Sequence, residues 1–125
     1  MPTNVFVDIH QQTIKLDVHE LARQLVSHLG ATLVATLANV RDRKLPYRWQ
    51  KADGPVPKDE AIMRLQAAHQ IWQMIATTDD AYVARAWFIG VNPRLGDVQP
   101  VMALRDGRLT ETVAAARAFV AGTDE

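Results

Sequence analysis

Residues 58–76, KDEAIMRLQAAHQIWQMIA, hold a long uninterrupted helical period, and it constrains the rest of the chain more than any other stretch. Ile62, Leu65, Ala68, His69, Trp72, Ile75 and Ala76 recur at three- and four-residue spacing and share one face. A helix of that length has to bury its apolar face against other elements, so its neighbours must form a packed surface around it. What precedes it is a break: Asp53-Gly54-Pro55-Val56-Pro57 cannot continue a helix. The segment 53–57 is therefore the expected boundary between an N-terminal and a C-terminal part, with the long helix bridging the two.

The other elements read as helices too. Asp17 and Glu20 have the spacing of a capping box, and Val18, Leu21, Ala22, Leu25, Val26 and Leu29 follow at helical spacing to a stop at Gly30. Thr32 is the expected cap of a short second helix carrying Leu33, Val34, Leu37 and Ala38 and ending near Asn39. A third is expected from Leu45, with Pro46 in its first turn, to about Ala52. Beyond the long helix, Asp79 or Asp80 caps a segment to Ile89. The segment GVNPRLGDVQP, 90–100, is rich in turn formers. Pro100 opens a short helix through Leu104, and Thr110 caps a last one that Gly122 stops. The weak alternation in residues 4–9, NVFVDI, suggests a short strand or an arm. The expected fold is all-α with about seven helices, divided into an arm (1–16), a helix-turn-helix region (17–57) and a small helical domain (58–125).

Composition excludes several kinds of chemistry. With no Cys, there is no disulfide, thiolate metal site or Cys nucleophile. The four His, at 10, 19, 28 and 69, match no metal-binding spacing, and His69 reads as a hydrogen-bonded residue of the core or its boundary. No glycine-rich phosphate loop is present, and Asp79-Asp80 reads as a helix start. Neither an enzyme activity nor a metal or other cofactor is expected. The N-terminus lacks the pattern of a signal peptide, and no stretch approaches the ~18 apolar residues of a membrane span. The expectation is a cytoplasmic protein with no membrane partner.

Charge is unevenly placed. The 14 basic and 14 acidic side chains cancel, yet Arg41, Arg43, Lys44, Arg48 and Lys51 face only Asp42 within residues 41–51, a local +4. Such a run is a solvated loop, a catalytic patch or a surface for a polyanion. Two short helices joined by a turn, the second carrying Tyr47, Arg48, Gln50 and Lys51 around an inward Trp49, have the outline of a helix-turn-helix. On that reading Arg41, Arg43 and Lys44 meet phosphates, while Tyr47, Arg48, Gln50 and Lys51 face the major groove of DNA. Pro46 counts against it, because it removes a backbone donor at the start of the recognition helix.

A family resemblance enters at these residues. LVATLANVRDRKLPYRWQKADGPVP, 33–57, resembles a degenerate Xre-type helix-turn-helix, and ARAWFIGVNPRLGDVQPVMALRDGRLTETVAAARAFVAG, 84–122, resembles the toxin-binding domain of the Xre/MbcA/ParS-type antitoxins. The second match rests on Trp87, Asn92-Pro93-Arg94-Leu95-Gly96, Pro100, Leu104 with Gly107, and Val113 to Gly122. The resemblance implies an antitoxin of a type II toxin–antitoxin pair, a homodimer that neutralises a cognate RES-type, NAD-consuming toxin and represses its own operon by binding operator DNA. It also implies toxin contacts at Asn92, Arg94, Leu95 and Arg117, and at Thr123, Asp124 and Glu125 in a C-terminal segment reaching the toxin's cleft. For each corner residue a purely structural role stands beside that one. An orphan regulator or adaptor without a toxin is the competing expectation, and a small helical enzyme would need a pocket with a strongly perturbed titratable group.

Overall fold

The computed structural model describes residues 5–122. Within them lie eight α-helices, one 3-10 turn and no strand: α1 Val5–Lys15, α2 Val18–Leu29, α3 Ala31–Leu37, α4 Leu45–Trp49, α5 Asp59–Thr78, α6 Ala81–Ile89, the 3-10 turn Pro93–Leu95, α7 Pro100–Arg105 and α8 Leu109–Ala121. The all-α expectation is met.

At 20 residues, α5 is about 30 Å long and forms the axis of the molecule. It packs against α1, α2, α3, α6, α7 and α8. Its buried residues include Ala61, Leu65, Ala67, Ala68, His69, Ile71, Trp72, Met74 and Ile75, which is more than one face. The single stripe read from the sequence was too narrow, because helices cover α5 from several sides. One buried cluster takes side chains from every helix, from Ile9 of α1 to Ala116 of α8.

The largest departure is at the N-terminus. Residues 5–15 form a helix where a strand or arm was expected. Ile9 and Thr13, a helical turn apart, are buried against α5, whereas the alternation that suggested a strand spans only a few residues. Cap details differ as well. Asp17 accepts from the His19 backbone N–H, but Glu20 turns to Arg23 and Gln24, so the reciprocal half of the capping box is not made. Gly30 (φ +85°) ends α2 and starts α3 directly, and Thr32 lies inside α3. Helix α8 begins at Leu109, one residue before the expected cap Thr110. Asp80, of the two candidates, caps α6, its carboxylate accepting from the Val83 N–H at 2.8 Å.

Candidate functional site

Seven residues, 38–44, separate α3 from α4, where a helix-turn-helix has a turn of three or four. Asn39 takes a left-handed backbone (φ +62°), and the Val40 N–H returns to the Ala35 carbonyl. Asp42 then organises the entry to α4: one carboxylate oxygen accepts from the Lys44 N–H at 2.9 Å, and the other pairs with the Arg48 guanidinium. Helix α4 has five residues and ends at Trp49, short of the expected Ala52. Trp49 is the inward anchor, 1% exposed, and its carbonyl accepts from His19 Nδ1 of α2 at 2.8 Å. Pro46 is buried as well.

The structure leaves Arg41, Arg43, Lys44, Tyr47, Arg48 and Lys51 exposed, and Gln50 half-buried. Arg48 is tied to Asp42. Sequence reasoning missed that Arg85 of α6 joins this surface. A groove of about 660 Å³ brings Arg43, Lys44 and Tyr47 together with Arg85, Ile89 and Thr32, and no carboxylate lines it. No local signal marks Arg85, since it lies about forty residues downstream.

The second candidate region is the corner after α6. Asn92 is buried; its side-chain oxygen accepts from the Arg94 N–H at 2.9 Å, and its backbone pairs with Val98. Gly96 closes the 3-10 turn in the left-handed region (φ +71°). Leu95, 1% exposed, plugs the core, and its carbonyl accepts from Arg108 at 3.2 Å. Asn92 and Leu95 therefore hold the corner together, while Arg94 stands exposed. Arg117 is elsewhere: its guanidinium lies 5.6 Å from the centre of the Phe6 ring, in a groove of about 700 Å³ between α1, α5 and α8. Thr123, Asp124 and Glu125 lie outside the described residues.

Compared with protein-family models, curated proteins and solved structures, the chain gives no match. The surface must then be read from its own chemistry. Leading into the corner, α6 presents Tyr82 (83% exposed) and Ile89 (41%), seven residues apart on one face, followed by Val91 (67%). The sequence did contain a signal for this. Every residue of AYVARAWFI except Arg85 is apolar or aromatic, yet α6 is covered only in part, chiefly by α5 and α7, so apolar groups are left facing outward.

His69 takes no part in either region. It is 3% exposed and joins three helices: Nδ1 lies 2.7 Å from the Thr13 hydroxyl of α1, and Nε2 lies 2.7 Å from Gln24 Oε1 of α2. Burial, with the nearby His28 adding to it, holds its pKa down at about 4. Among the described residues, no cluster of His, Asp or Glu has the grouping of a metal site.

Proposed function

We propose that this protein is a binding protein of the antitoxin kind, with a partner-recognition surface on α6 and the 90–98 corner and a basic surface at α3–α4. The carrying observation is the apolar run Tyr82, Ile89 and Val91, exposed beside a corner that Asn92, Leu95 and Gly96 make rigid. Exposed aromatic and aliphatic groups on a stiff support are what a protein partner uses as anchors. The Asn-Pro-Arg-Leu-Gly corner is also the motif on which the resemblance to antitoxin toxin-binding domains rests. On this reading the protein acts by steric occlusion of a toxin, of the NAD-consuming RES type by that resemblance, and makes or breaks no bond. Arg94, exposed three residues after Val91, is assigned to the same surface.

Operator binding and autorepression form the second half of the proposal, supported by the exposed cations Arg41, Arg43, Lys44 and Lys51. A homodimer would double the phosphate contacts, and sedimentation measures that directly. The test of the first half is co-expression with the product of the adjacent gene, followed by co-purification and growth rescue. Ile89→Asp with Tyr82→Asp should abolish both while leaving the protein folded. Retention of the partner by the double variant refutes the assigned surface, and a neighbouring product that neither binds nor harms growth favours a regulator without a toxin. The DNA half fails if the unmodified protein shifts no operator DNA at low salt; if it holds, Arg43→Ala with Arg48→Ala weakens that shift and spares partner binding.

A further inference from the structure

We infer that the basic surface is a sequence-independent clamp for the phosphate backbone of duplex DNA, formed across the α3–α4 loop and α6 by Arg43, Lys44 and Arg85. The inference rests on the DNA half of the reading above and replaces a groove-reading helix with a different mode of contact.

Helix α4 is poorly built to read bases. Five residues span about 7–8 Å, roughly one and a half turns, and offer few outward positions for the major groove. Two of the side chains best suited to base edges are otherwise placed: Gln50 is half-buried, and Arg48 is paired with Asp42. The seven-residue loop also removes the fixed short turn that sets a recognition helix against its support.

The same surface suits phosphates. Arg43, Lys44 and Arg85 take part in none of the ion pairs found among the described residues. The nearest carboxylate along the chain, Asp42, is bound by Arg48 and the Lys44 N–H and does not line the groove. A run of charges on a loop is ordinarily just solvated. Here, however, packing of α6 brings in a third cation from far along the sequence, so the charge is concentrated by the fold. Duplex DNA, with about one negative charge per 1.7 Å of axis, complements such a concentration of cations. Tyr47 is the sole aromatic in its lining, so there is no stacking platform of the kind that holds single strands.

The test is fluorescence anisotropy of the full chain with two labelled duplexes of about 20 bp and unrelated sequence, between about 50 and 200 mM NaCl. Both duplexes should bind within about threefold of each other, with a log–log salt slope near −2.7 for three cations. Arg85→Gln should weaken both by about tenfold at the lowest salt and reduce the slope by about one. Lys58→Gln, at an exposed cation outside both the groove and the basic stretch, should bind as the unmodified protein does. If the unmodified protein binds but Arg85→Gln is without effect, the clamp is wrong and the DNA reading survives. If it does not bind at any salt, both fail. A preference of about a hundredfold for one duplex indicates base readout and overturns the clamp. A polyglutamate peptide of equal charge that binds more tightly than DNA overturns it in favour of an acidic protein partner.

Discussion

Lowering the pH from 7 to 4.5 should weaken the fold through His69, and replacing that residue by Gln should remove the effect. The protonation state follows from a relay of hydrogen bonds. Gln24 donates its amide N–H to Glu20 Oε1 at 3.2 Å, which turns its carbonyl oxygen toward His69. Nε2 of His69 therefore carries the hydrogen, and Nδ1 accepts from the Thr13 hydroxyl. A second proton would place a charge in the core; the Thr13 hydroxyl can turn to accept from Nδ1–H, so burial is what opposes it. The charged and titratable groups on this side are Glu20, Arg23 and His28 of α2 and His10 of α1. Glu20 is bound by Arg23, and His28 stacks on Trp72 with its own pKa lowered, chiefly by burial.

With the native pKa near 4 and an unfolded value near 6.5, the unfolded chain binds a proton that the native one does not throughout that interval. Stability is fully present above about 6.5, falls as the pH drops, and levels off below about 4. At roughly 1.4 kcal/mol per pH unit, and discounting for solvent near the edge of the network, the loss by pH 4.5 is about 2 kcal/mol. The assay is urea unfolding followed by circular dichroism at pH 7, 5.5 and 4.5 for the unmodified protein and His69→Gln. The variant should be less stable by about 1 kcal/mol at pH 7, the worth of an imperfect hydrogen bond, with the gap closing or reversing at pH 4.5. Carboxylate titrations such as that of Glu20 are common to both proteins and cancel. A gap that does not change with pH refutes the reasoning.

Substitutions at three further positions probe the elements that carry the candidate surfaces. Trp49→Ala should cost about 3–5 kcal/mol in denaturant unfolding, because it empties a fully enclosed site under α4; a loss below about 1 kcal/mol would show that α4 needs no anchor. Gly54→Ala should cost about 1–3 kcal/mol and loosen the 51–54 turn, since a Cβ there would lie 2.1 Å from the Arg48 carbonyl oxygen; an unchanged melting temperature contradicts this. Gly96→Ala meets no neighbouring atom, so its cost should be the left-handed strain alone, about 1–2 kcal/mol, and Gly96→Asn should recover part of it in a thermal melt.

Much of the fold was legible residue by residue. The bounds of α2 follow from Asp17 and Gly30, the start of α6 from Asp80, and the stop of α8 from Gly122, whose φ is +75°. These are decisions of a few adjacent residues, where a cap or a left-handed glycine determines the local backbone. Trp49 was likewise readable as an inward anchor because a large apolar ring flanked by Arg48 and Gln50 in a basic stretch has one favourable place to go. The N-terminal helix was not readable in this way. Part of its inward face is polar, and Thr13 is buried because His69, 56 residues away, offers it a hydrogen bond.

The sequence by itself thus determined which segments after the N-terminal one are helical and where most of them end, since periodicity, caps and turn formers act within a turn or two of the chain. It also determined the kind of chemistry available: cations and apolar side chains, with no thiol. The tertiary structure alone decided which of those groups meet. The packing of α6 sets Arg85 beside Arg43 and Lys44 and leaves Ile89 outward, the packing of the 3-10 turn on α8 accompanies the burial of Leu95, and the docking of α1 on α5 encloses His69. Such meetings depend on how helices pack around a shared core. That geometry is set by many side chains at once, and no single stretch of sequence contains it.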